Sequence, residues 1–452
     1  MSLSSEIINL ARLAVPVALA QLLTAAAGLV DTVMAGRAGV VDLAGVALGS
    51  AMWLTLVIGA MGLFMAVNPI VAHYAGAGQY QRIAPFMHVS ARVALLALLL
   101  LVVVIRLHVW YLPLIIDDPL VVAVAGDYLD GFSWGLPALL GMLLLRPYSE
   151  GLSFTQPHLV ASLVSLLVNI PANYMLIFGH WGAPALGGAG AGWATALAFW
   201  AAFAVMVSYT IMHKTYVQAF IWRRLLPYEA DELRHLLRVG APIALMLFVE
   251  VSIFSLIALF LGVRPSSEIA AHQVAMNVAY LAFTLPFSIS IAASIRVGRF
   301  QGAQDHRGAY NAARAAFLLA LVTAAFNISI LVLFADQIAA FYSNDAVVIQ
   351  QATELLVFAA LFQLADAFVV PAQGALRGYK DTRVPMLLAI LAYWVITLPL
   401  GYVLGLTDIL TPAMGAPGFW ISLVVGLTTS GIFMSSRLWH ISRYQLVSSN
   451  VP

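Results

Sequence analysis

The second half of this 452-residue chain is a diverged copy of the first, in register over a long ungapped stretch. Arg12 and Pro16 recur as Arg238 and Pro242, an offset of 226 residues, which is half the chain. The same offset carries Gly36 to Gly262, Asp42-Leu43-Ala44 to Glu268-Ile269-Ala270, and Gly76-Ala77 to Gly302-Ala303. Offsets of 227 and 228 then carry Gly151 to Gly378, Pro171 and Tyr174 to Pro399 and Tyr402, and Gly187 and Gly190 to Gly415 and Gly418. Whatever fold one half adopts, the other is built to adopt as well.

That fold must suit a bilayer, because 62% of the residues are hydrophobic and 9% charged, against about a quarter charged in a soluble domain. Long apolar runs, not short alternating ones, point away from a β-barrel and to an all-α integral membrane protein. Twelve spans are expected, with cores at 9–35, 44–72, 86–112, 120–145, 158–180, 188–212, 237–262, 269–294, 309–334, 346–373, 385–406 and 416–438. With both termini cytoplasmic, 18 of the 21 Lys and Arg lie inside, Arg223, Arg224, Arg314 and Arg443 among them, and only Arg37, Arg106 and Arg264 lie outside. This asymmetry fixes the orientation by the positive-inside rule. Six spans per half is an even number, so both halves enter from one side and form parallel repeats. The expected domains are an N-lobe at 1–213, a cytoplasmic linker at 214–236 and a C-lobe at 237–452.

Several function classes drop out. A net charge of +1 with no basic stripe argues against nucleic acid. The absence of cysteine removes disulfides and thiolate chemistry. The N-terminus lacks a charged start followed by a cleavage site, so no removable leader is expected. No zinc-protease histidine pair, phosphate-binding loop or nucleophile turn is present, so neither an enzyme nor a cofactor is expected, and energy must come from an ion gradient.

Three carboxylates sit where they are costly: Asp31 in the first span, Glu250 in the seventh and Asp366 in the tenth. A charge at the bilayer centre costs at least about 2.5 to 3.5 kcal/mol, so each needs a reason. None has an acidic counterpart in the other half: Asp31 pairs with Ile257, Glu250 with Thr24 and Asp366 with Leu139. Scaffold residues survived duplication in pairs, whereas these acids are single. A membrane carboxylate can take up a proton or hold a hard cation, and either competes with a cationic organic substrate. Phe362 lies one turn from Asp366 on the same face. Asn169 and Asn173 share a face of the fifth span, with Pro171 between them, and fit either a site or amide glue between helices. His272, Gln273 and Asn277 give the eighth span a weaker polar face.

VDTVMAG with Asp31, NIPANY with Asn169 and Asn173, FVEVS with Glu250, IAAHQVAMN, SIRVGRFQGA, FQLADA with Asp366 and LRGYKDT together resemble the multidrug and toxic compound extrusion (MATE) family, nearest its NorM branch. The resemblance implies two six-helix lobes arranged as a V around a central cavity. It also implies inner-membrane export of cationic amphipathic drugs and dyes, as a monomer, in exchange for protons or sodium. Glu250 and Asp366 would correspond to the cation site of the second lobe, a possible sodium site, and Asp31, Asn169 and Asn173 to the proton-linked cluster of the first. Phe362 stands where sodium-binding relatives carry a tyrosine, which weakens the case for sodium. A lipid-intermediate flippase of related fold is the alternative. Its anionic cargo would call for cavity arginines, whereas the arginines here lie mainly at span ends.

Overall fold

The structure, a computed structural model, describes residues 2–222 and 229–448. Arg223, Arg224 and the middle of the expected linker lie outside the described residues. The spans are α1 (Leu3–Ala38), α2 (Val40–Gly76), α3 (Tyr80–Arg106), α4 (Pro119–Ser133 and Leu136–Gly151), α5 (Gln156–Phe178) and α6 (Gly188–Met212). The second half repeats them as α7 (Ala230–Leu261), α8 (Ser266–Gly302), α9 (His306–Leu333), α10 (Ala346–Gly378), α11 (Arg383–Leu406) and α12 (Ala416–Val447). Among the described residues there is no strand, and the chain folds as a twelve-helix membrane protein.

Three departures from the expected spans have local causes. The third ends at Arg106 instead of running to 112, and a separate short helix occupies His108–Ile115; its counterpart, Ala335–Tyr342, starts 227 residues later. Arg106 donates to Asp130 at 2.8 Å, half-exposed, where a charge is more easily solvated than within an apolar span. The fourth span is bent by 54° between its two segments. Pro137 lacks the N–H that would bond back to Ser133, whereas Leu364 stands at the equivalent place in the unbroken α10. Within α11, Ile390–Thr397 is wound as a π-helix ahead of Pro399, with Tyr393 and Thr397 turned inward.

The duplicated loop chemistry has a structural use. Gly187 (φ 58°) and Gly415 (φ 67°) adopt left-handed backbone just before α6 and α12. That turn aims the first amides of each helix at an acid in the first turn of α2 or α8. Asp42 accepts from the Gly188 amide at 2.5 Å, and Glu268 accepts from the Ala416 amide. A Cβ at Gly415 would meet the Glu268 carboxylate. Gly415→Ala is therefore expected to destabilise by about 1–2 kcal/mol from the left-handed conformation alone, read as a lowered thermal midpoint in detergent.

Contacts divide the chain into two compact units. One comprises Leu19–Ala75 and Gln79–Ala244, the other Met1–Ala18, Gly76–Gly78 and Leu245–Pro452. Their limits differ from a cut at 213 and 237, because α1 and α7 each change unit part-way along. Pro16 and Pro242 fall two residues before these crossings and remove one helical hydrogen bond there. What holds each leading segment is an ion pair. Glu232, at the start of α7, is 1% exposed and accepts from Arg82 at 2.6 Å and from the Tyr74 hydroxyl at 2.7 Å. Its repeat mate Glu6, also 1% exposed, accepts two hydrogen bonds from Arg296, at 2.5 and 2.8 Å. Each arginine also lies over an aromatic ring, Tyr74 at 4.8 Å and Phe300 at 4.7 Å, and those two rings are themselves repeat mates.

Candidate functional site

The first-half cluster assembles from three helices. Asp31 Oδ1 accepts from the side-chain amides of Asn169 at 2.9 Å and Asn173 at 2.6 Å, and Oδ2 accepts from the Thr195 hydroxyl at 3.0 Å. Asn169 and Asn173 can both reach one oxygen because they stand one turn apart on α5. All four side chains are buried. The donors are neutral, so they orient the carboxylate without cancelling its charge. Thr195, on α6, was not legible as a site residue, because a lone threonine in an alanine-rich helix has many ordinary uses.

In the second half, Asp366 is 2% exposed on α10, and its Oδ2 is buried with no hydrogen-bond partner among the described residues. Glu250, on α7, accepts a 2.6 Å hydrogen bond from Gln373, which lies on the Asp366 face of α10 two turns further on. Glu250, Asp366 and Tyr393 of the π-wound segment lie within electrostatic reach of one another. Phe362 packs between Phe254 and Trp420, each with ring centroids 6.4 Å away, and offers no oxygen to the acids. His272 is taken up by a 3.2 Å contact with the Trp420 indole, and Asn277 bonds within its own helix. Gln373 and Tyr393 escaped sequence reasoning: an amide near a helix end draws no notice, and π winding has no simple pattern.

Set beside the buried acids Glu6, Glu150, Glu232 and Glu268, these three form a class of their own, Asp31 and Asp366 buried and Glu250 partly buried. Glu6, Glu150, Glu232 and Glu268 each pair with an arginine, at 2.5, 2.9, 2.6 and 2.9 Å respectively. Asp31, Glu250 and Asp366 form no ion pair among the described residues. A carboxylate withdrawn from water with hydrogen bonds at most, and no ion-pair partner, is costly to keep ionised.

The family model MatE matches this chain twice, over residues 16–175 and 242–403, the two matches starting one repeat apart. The chain belongs to the MatE family. A probable multidrug resistance protein NorM of Shewanella oneidensis is 41% identical over 438 residues, covering 97% of this chain and 95% of that protein. The multidrug resistance protein MdtK of Edwardsiella ictaluri is 39% identical over 440 residues, covering 96% and 95%. Among solved structures, the eukaryotic MATE transporter AtDTX14 superposes with a TM-score of 0.87 at 20% identity, over 98% of both chains. An outward-facing multidrug resistance MATE family transporter gives 0.83 at 18% identity, over 97% of this chain and 96% of that one. The MATE resemblance read from the sequence motifs therefore holds, and these structures share the fold.

Proposed function

We propose that this MatE-family chain is a cation-coupled multidrug antiporter of the bacterial inner membrane, with both termini cytoplasmic. It exports small cationic amphipathic compounds by alternating access, in exchange for protons or sodium. The observation that carries this reading is the set of three membrane acids that form no ion pair among the described residues. A drug cation and a coupling cation compete for them, and occupancy by one lowers affinity for the other, which is the thermodynamic content of antiport. Relatives named as multidrug resistance proteins support the substrate class. The acids Asp31, Glu250 and Asp366 are the proposed exchange groups, with Asn169, Asn173 and Thr195 orienting the first and Gln373 the second. Phe362 contributes an apolar wall beside Asp366.

Drug binding to the purified protein tests this directly. Affinity for a cationic dye is expected to fall as pH is lowered or sodium raised, and dye addition is expected to release the competing ion. Binding insensitive to both, with no ion released, would overturn the proposal. Gln373 offers a finer check. Gln373→Met keeps the bulk but cannot donate, and losing a hydrogen bond to a charged group, about 1.5 kcal/mol, should weaken dye binding about tenfold in equilibrium titrations. In a Glu250→Gln background the same change should do little.

A further inference from the structure

A groove on α9 and α12, remote in sequence from the proposed exchange groups, combines two unpaired cations with an aromatic floor. Tyr310, Arg314 and Phe317 share one face of α9, and Trp439 and Arg443 share one face of α12. Together with Leu318 they line an open groove of about 430 Å³. Trp439 sits against Tyr310 and Phe317, with ring centroids 5.5 and 5.4 Å away, and the Arg314 guanidinium lies 5.7 Å over the Tyr310 ring. Arg314 and Arg443 are both exposed, and neither forms an ion pair among the described residues.

The repeat marks this groove as something beyond scaffold. At the matching positions of the first half, Arg314 and Tyr310 correspond to His88 and Ala84 (offset 226), and Trp439 and Arg443 to Ile211 and Thr215 (offset 228). Depth along the helices is informative too. Arg314 lies eight residues into α9, or about 12 Å along it, and Arg443 lies four residues before the end of α12. Both cations therefore sit near the ends of their spans, with exposed aliphatic side chains such as Leu318 at 42% beside them. That is the layering of a membrane interface: guanidinium groups at headgroup level, indole and phenol rings at the boundary, and an apolar surface for acyl chains.

We propose that this groove binds the phosphate headgroup of an anionic phospholipid, with Arg314 and Arg443 holding the phosphate and Trp439 packing beside its glycerol and upper acyl carbons. Two arginines complement a phosphodiester, whereas a zwitterionic headgroup would bring its own cation against them. The inference is independent of the coupling mechanism.

Native mass spectrometry of the full chain, released from micelles doped with phosphatidylglycerol or phosphatidylcholine, tests it. Wild type is expected to retain phosphatidylglycerol in preference to phosphatidylcholine. Arg314→Gln and Arg443→Gln should each weaken retention about fivefold, and together about thirtyfold, whereas Arg307→Gln, which removes an equal charge outside the groove, should not. Should the double variant fail to fold, the single variants read the same quantity. Equal retention of both lipids, unchanged retention in the variants, or displacement by millimolar inorganic phosphate would each overturn the proposal; the last outcome would mark a free-anion site.

Discussion

Replacing Asp366 by Asn, or Glu250 by Gln, is expected to lower gradient-driven drug accumulation by about 5- to 150-fold, the usual range of coupling between two ligands. Each change preserves shape and removes the one property the antiport scheme needs, a charge that can be exchanged between cations. The same variants carry a second expectation that a merely structural role would not produce. Asp366 has an oxygen buried without a partner, and neither acid forms an ion pair. Neutralising them relieves a desolvation penalty, so thermal stability in detergent should hold or rise while transport is lost. Loss of transport with a falling midpoint would instead mark them as structural.

The paired acids should respond with the opposite sign. Glu232→Ala removes the ion-pair partner of Arg82, and Glu6→Ala that of Arg296, whose side chain is only 13% exposed. Removing one partner of a buried pair typically costs about 3–5 kcal/mol. Both changes are expected to lower the unfolding midpoint substantially, Glu6→Ala more, because Arg82 is 52% exposed and water can solvate it once the pair is broken. Replacing both partners by apolar residues of similar volume, as in Glu6→Met with Arg296→Leu, should recover much of the loss. Midpoints unchanged in both single variants would contradict the role assigned to these pairs in fixing the leading segments of α1 and α7.

These contrasts also mark what could be read from the chain alone. The twelve spans were legible because bilayer thickness sets helix length, and because the duplication supplies each span with a second copy. The Asp31 cluster was legible through the family resemblance, since spacing alone left Asn169 and Asn173 open between a site and amide glue between helices. Other features turn on contacts that leave no pattern. Glu6 and Glu232 look like ordinary charged residues at helix starts, yet their arginine partners lie 290 and 150 residues away and help set where the compact units divide. Gln373, Tyr393 and Thr195 are common residue types whose importance comes from where neighbouring helices place them. The bend in α4 was written in Pro137, but a proline in a membrane helix is as often tolerated as bent, as the continuous α10 around Pro371 illustrates.

The central claim, that membrane acids without ion-pair partners exchange a drug for a coupling cation, meets its most direct test in energised vesicles. Efflux of a cationic dye would be followed with proton and sodium gradients imposed separately, comparing the native chain with Asp31→Asn, Glu250→Gln and Asp366→Asn. The account predicts transport driven by at least one of the two gradients in the native chain and lost in the Glu250 and Asp366 variants, with Asp31→Asn impaired. Native transport that needs neither gradient, or three variants that pump at the native rate, would contradict it.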